Sequence, residues 1–294
     1  MNAKKADKIA TAVFYAISIF IVTLLGTFIA YIIYKGGAMI KPSFLFGNPK
    51  LSGAGGGIGP QLFNSFYMLI ISLIITVPVG IGAGIYLAEY AKEGKILNFI
   101  RMSLETISSL PSIVIGMFGL LVFVNMAGWG YSILAGALSV SILNIPSMTR
   151  ISENAIKTAS KRVKEASLGL GASKWQTLAK LTVPIAMSEI LTGIILASGR
   201  IFGEAAAFLY TAGLSSGGLN FNNISLLGNK SAFSLFRPAE TLAVHIWKLN
   251  SEGTVIDAVQ IANGTSAVLI IAVLLFNIIA RLLGNRLMRS YGGK

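Results

Sequence analysis

The chain has 294 residues, of which 54% are hydrophobic and only 12% charged, and its mean hydropathy is +0.74. A soluble domain carries about 25% charged residues, so this composition specifies an integral membrane protein. A net charge of +13 would point to nucleic acid in a soluble chain, but here the basic residues sit between and around apolar runs, where they set membrane orientation. The absence of cysteine excludes disulfides, thiolate metal sites and a cysteine nucleophile, and a single histidine, His245, excludes a multi-histidine metal site.

Six apolar stretches are long enough to cross a hydrocarbon core of about 30 Å. They lie near Ile9 to Tyr34, Leu62 to Tyr90, Ile107 to Met126, Tyr131 to Met148, Ile185 to Ala212 and Ala258 to Leu283. The first has no small-residue cleavage site and reads as a retained span. Only Ala127-Gly128-Trp129-Gly130 separates the third from the fourth, which predicts a tight helical hairpin with Trp129 at the membrane interface. Outside the spans, Lys and Arg number three in the N-terminal tail, three after the second span, seven around the fourth loop and four from Arg281 onward, seventeen on one side. The other side has three between Lys35 and Lys50 and three between Lys230 and Lys248. The excess places both termini in the cytoplasm.

In chain order, the glycine run Gly53 to Pro60 has no preceding strand and no GK[ST] or GxGxxG pattern, so it reads as a flexible external turn rather than a phosphate loop. Gly80 and Gly84 in the second span stand one small-xxx-small step apart, suited to close helix packing. Pro78 and Pro111 predict kinks or broken helices.

Ser152 to Pro184 is a polar, basic island. Ser152 to Leu168 has helix-compatible composition, and Gly169 and Gly171 end it, because glycine tolerates the positive φ of a helix C-terminus. Ser173 with Gln176 three residues on predicts a capping box opening a second short helix, Ser173 to Leu181, with Trp175, Leu178 and Leu181 on one stripe. The residues alone fit two placements: a helix seated in a partner's groove, or one lying on the membrane.

The fifth span holds Arg200 near its centre and Glu204 four residues later, flanked by Gly199 and Gly203. A mid-membrane arginine costs about 2.5–3.5 kcal/mol on insertion scales, and i, i+4 spacing predicts a mutually neutralising pair. That pair either fixes bundle register or presents a cation to a polar path, with Glu204 keeping an anion from being held too tightly. Glu189, nearer the cytoplasmic end of the span, could join either picture. The long external loop, about 214–257, is rich in Ser, Gly and Asn, and His245 within it reads as structural.

The island resembles the EAA motif of ABC-type import permeases: Glu165-Ala166-Ser167, three residues, Gly171, nine residues, then Leu181-Thr182-Val183-Pro184. Ser167, Leu181 and Val183 depart from the usual Ala, Ile and Leu. SGRIFGEAAAFLYTAG resembles the fifth-span signature of phosphate-specific transport (Pst) permeases, with Ala205 and Ala207 standing where Thr and Pro are usual. PAETLAVHIWKLNSEG from Pro238 is similar to the segment that marks the PstA-type subunit, with Ala243 in place of a proline. The resemblance covers about Gly56 to Arg289; the first span matches only in hydropathy.

The resemblance implies an all-α integral membrane protein, a six-helix ABC-importer permease bundle with both termini cytoplasmic. It comprises an N-terminal tail, span and external loop over 1–61 and a permease core over 62–294. It further implies a non-enzymatic phosphate permease working by alternating access, with ATP and Mg on a partner and no cofactor or metal of its own. Expected partners are a PstC-type permease, two PstB-type ATP-binding subunits, a PstS-type extracytoplasmic phosphate-binding protein and lipid, and no nucleic acid. Glu165, Ala166, Gly171, Ser173, Trp175 and Leu178 would couple to the ATPase, and Arg200, Gly203 and Glu204 would line the substrate pathway. The rival readings are a molybdate or sulfate permease of the same superfamily and a stand-alone secondary transporter, which has no need of a docking helix.

Overall fold

The computed structural model describes residues 3–50, 54–216, 219–227, 231–252 and 255–291; Gly53, Lys230, Gly253 and Lys294 lie outside them. Among the described residues the chain is helical, with no strand. The helices are α1 Ala3–Gly36, α2 Pro42–Phe46, α3 Gly59–Ile85, α4 Lys95–Ser109, α5 Ser112–Gly119, α6 Ile133–Gly169, α7 Lys174–Thr177, α8 Val183–Gly203, α9 Ala206–Thr211, α10 Leu242–Glu252 and α11 Ala258–Tyr291. Wider π-helical turns extend α3 to Tyr90, extend α5 to Met126, and join α7 to α8 through Leu178–Thr182.

Among the described residues four continuous helical stretches are long and apolar enough to cross a membrane: residues 3–39, 59–90, 174–203 and 258–284. A fifth candidate is the pair α4 and α5, bent by 96°. The fourth predicted stretch is not among these candidates, although its residues form the first half of α6. This helix is the centre of the bundle, packed by α3, α5, α8 and α9. Ser139, Ser141, Asn144 and Thr149 are buried in protein along it, so it meets little lipid and need not be apolar throughout. The helical stretch that holds the start of the fifth predicted span runs from Lys174, inside the island, to Gly203, where the helix breaks before resuming as α9.

Pro111 does break the third predicted span: it caps α5 at the 96° bend. Pro78 instead lies inside an uninterrupted α3. Gly80 and Gly84 let α3 lie directly on α6, since a Cβ would come within 2.6 Å of the Met148 side chain at Gly80 and 2.5 Å of Ser152 Cβ at Gly84. The expected loose glycine turn is instead tied down, where its residues are described: Gly57 N donates to Asn48 O at 2.9 Å and Gly55 N to Asp257 Oδ2 at 2.7 Å. The link between α5 and α6 is short as expected, and Trp129 within it stacks on Phe123.

One core cluster gathers Ile58, Met68, Leu69, Ile133, Phe208 and Leu242 at one end of the bundle. A second gathers Met148, Ala155, Ile156, Leu178, Ala186 and Ile190 beneath the polar island.

Candidate functional site: a motif turn and a broken helix

α6 projects beyond the second core cluster and stops at Gly169. Gly171 then takes φ +87°, a conformation costing an ordinary L-residue about 1–2 kcal/mol. This reverses the chain, and Gly171 N and Ala172 N return to Leu168 O and Ser167 O at 3.0 and 3.2 Å. The predicted capping box is present: Gln176 N donates to Ser173 Oγ at 3.2 Å and Ser173 N to Gln176 Oε1 at 2.8 Å.

Ser167, which departs from the motif's usual alanine, is buried, and its hydroxyl bonds Thr177 Oγ1 across the turn at 2.9 Å. Lys164 Nζ reaches Glu89 Oε2 at 2.6 Å, fixing the α6 arm to the end of the α3 stretch. The turn presents Glu165, Ala166, Gly171 and Ser173 to solvent, with Leu170 90% and Trp175 67% exposed. The predicted stripe of Trp175, Leu178 and Leu181 does not hold together. Leu178 is 4% exposed in the inner core while Trp175 faces out, because the chain passes from the exposed cap into the packed bundle within one turn.

The predicted Arg200–Glu204 pair is not formed. Spacing of i, i+4 joins side chains only within a continuous helix, and α8 ends at Gly203. Glu204 adopts extended backbone and is buried, and its Oε1 accepts from Ala207 N, in the first turn of α9, at 3.0 Å. Arg200 is exposed and, among the described residues, has no ion pair. It stands on a stripe of α8 in which Glu189, Thr192, Leu196 and Gly203 are also exposed. No atom stands within 4 Å of where a Cβ on Gly199 or Gly203 would be, so the space beside Arg200 is open in this subunit.

At the other end of the bundle is a polar cluster that sequence reasoning missed. Arg237 is buried, donating to Ala232 O and, at 2.7 Å, to Asn64 Oδ1. Burial lowers its pKa to about 10, opposed by the nearby Tyr67, so it stays cationic at neutral pH. Glu240, also buried, accepts from Gln61 Nε2 at 2.8 Å and lies 3.1 Å from His245 Nδ1. His245 is therefore held structurally, on a helix rather than a loop. The signal available was two polar residues, Gln61 and Asn64, heading an apolar span.

A central polar helix wrapped by apolar ones, a solvent-exposed motif turn and an unpaired arginine on a broken helix together define a multi-pass membrane permease subunit. The chain belongs to the family described as binding-protein-dependent transport system inner membrane component, whose profile matches residues 80–292. It is 50% identical over 290 residues, 99% of each chain, to the probable ABC transporter permease protein YqgI of Bacillus subtilis. It is 32% identical over 239 residues, 80% of this chain and 75% of the other, to the phosphate transport system permease protein PstA of Yersinia pestis. In fold it resembles a bacterial ABC transporter involved in the import of the acidic polysaccharide alginate, with TM-score 0.62 at 14% identity over 97% of this chain and 99% of the other. It also resembles the MetNI methionine ABC transporter in inward-facing form, with TM-score 0.55 at 18% identity over 81% of this chain and 95% of the other.

Proposed function

We propose that this chain is the membrane subunit of an ATP-driven importer of inorganic phosphate. The observation that carries the reading is Arg200: a permanent cation on a helical stretch long and apolar enough to cross a membrane, exposed and, among the described residues, without an ion pair. Lipid does not tolerate such a group, and charged side chains in spans face a bundle interior or a water-filled path. The exposed stripe of α8 therefore faces a second permease subunit, and the pathway runs between the two. A guanidinium stays charged and forks two hydrogen bonds to an oxyanion, which suits phosphate. The phosphate transport permeases among the relatives support this substrate over molybdate or sulfate.

The motif turn is the coupling site. ATP and Mg bind a separate subunit, which presses on Leu170, Trp175 and the exposed face around Glu165 and Gly171, and α6 and α8, joined at that turn, carry the movement into the bundle. The lysine and arginine excess of seventeen to six supports cytoplasmic termini and a cytoplasmic turn. An extracytoplasmic phosphate-binding protein then docks at the opposite end, over α10. Copurification tests the assembly. An ATP-binding subunit and a second permease should be recovered with this chain, and recovery of the chain alone, active in transport, would make it a stand-alone carrier.

A further inference from the structure

α4 has a role that neither the pathway nor the motif turn uses. Its 15 residues span about 22 Å at 1.5 Å per residue, and only Leu110 and Pro111 separate it from α5. The two axes meet at 96°. If the stretch 112–126, α5 with its π-helical extension, enters the membrane, α4 starts at the bilayer edge and runs along its plane. Charges at Lys95, Arg101 and Glu105 keep it out of the hydrocarbon core.

The helix has three distinct edges. Leu97 is 3% exposed and packs inward, while Arg101 Nε and Nη2 hold Glu153 Oε1 of α6 at 3.0 and 2.7 Å. Arg150 of α6 reaches back to Glu105 of α4 at 3.1 Å, so the two helices are pinned in both directions. A second edge, Asn98 and Glu105, is polar. The third is apolar and uncovered, with Ile96 79% and Phe99 64% exposed. Beside it Lys92 and Lys95 are exposed and without an ion-pair partner among the described residues, whereas Glu93 lies 4.0 Å from Arg101.

We propose that α4 is a membrane-surface helix: Ile96 and Phe99 sink into the cytoplasmic leaflet, and Lys92 and Lys95 bind anionic lipid headgroups. An apolar edge flanked by lysines on a helix held in the membrane plane is the pattern of an interfacial helix, and lysines near an anionic surface are attracted to it. The choice of leaflet rests on the cytoplasmic orientation given above. Through the Arg101–Glu153 and Arg150–Glu105 pairs, the lipid-bound helix is tied to the arm of α6 that carries the motif turn.

The cysteine-free chain permits a direct test. Single cysteines at Ile96, Phe99 and Asn98 would carry nitroxide labels in the assembled complex, reconstituted into phosphatidylcholine vesicles with or without phosphatidylglycerol. Labels at 96 and 99 should be open to oxygen and several-fold less open to an aqueous nickel chelate than the label at 98, with a depth at the headgroup–acyl boundary. Phosphatidylglycerol should deepen the label at 99, and the double variant Lys92→Gln, Lys95→Gln should abolish that response. Free access of the nickel chelate at 96 and 99 would overturn the proposal, as would exclusion of both reagents, which means another subunit covers the edge. Depth unchanged by phosphatidylglycerol would overturn the headgroup half. None of these readings depends on phosphate transport, so the result stands apart from the substrate assignment.

Discussion

Arg200 and Glu204 are four residues apart and do not pair: the helix ends between them, and Glu204 turns inward to accept the amide of Ala207 at 3.0 Å. Removing the Arg200 charge therefore strands no buried carboxylate. Arg200→Gln should insert and assemble at the normal level while phosphate uptake is lost. Poor assembly of this variant, measured by yield of the intact complex, would show that the arginine is structural after all.

Glu204 has a separate role. Its carboxylate accepts a first-turn amide of α9 from the residue before the N-cap Ala205, and loss of such a hydrogen bond costs about 0.5–2 kcal/mol. Glu204→Ala should lower the thermal stability of the complex by that order, and Glu204→Gln, which keeps an acceptor oxygen, should recover most of it. Equal losses for both variants would mean that charge, not the hydrogen bond, matters at this position.

The motif turn separates exposed from buried residues. Trp175→Asp changes an exposed side chain, so the protein should fold and insert normally yet fail to recruit or respond to the ATP-binding subunit. Leu178→Ala removes a core side chain and should destabilise by about 2–5 kcal/mol. Gly171→Ala meets no atom within 4 Å, so its cost is confined to backbone strain of about 1–2 kcal/mol. Normal phosphate-stimulated ATP hydrolysis by the Trp175→Asp complex would remove the turn from the coupling path.

How much of this was legible depended on range. Gly171, Ser173 and Gln176 are local signals, and the turn follows their spacing. The Arg200–Glu204 pair failed because spacing was read as though the helix continued, whereas the chain leaves the helix at Glu204. α4 was hidden for another reason: the third predicted span takes in only its last residues from Ile107, and the mixed polar and apolar residues before them carry no span-length hydropathy signal, so the helix and its 96° bend appear only in the structure. The Arg237–Asn64 bond joins positions 173 residues apart and leaves no local trace.

Glu153 joins α4 to the α6 arm. Burial raises its carboxyl pKa, but Lys157 and Arg101 outweigh this and leave it lowered. A lowered folded-state pKa stabilises above the unfolded value, so the contribution is complete at neutral pH and fades as pH falls through the acidic carboxylate range. Glu153→Gln should destabilise the complex by about 1–3 kcal/mol at pH 7, with the difference from the unsubstituted protein shrinking on acidification. A pH-independent difference would argue against the charged network.

Orientation is open to labelling. A tag near Asn222 should react from outside intact cells and one near Lys161 only after permeabilisation. External reaction at Lys161 would invert the topology that the lysine and arginine distribution supports.

The central claim is phosphate import, and uptake by the reconstituted complex tests it most directly. Vesicles holding this chain, its second permease and ATP-binding subunits, with ATP on the ATPase side and a phosphate-binding protein on the other, should accumulate radiolabelled phosphate. Arsenate should compete, sulfate and molybdate should not, and Arg200→Gln should abolish the signal. Uptake of molybdate or sulfate in preference to phosphate would contradict the account.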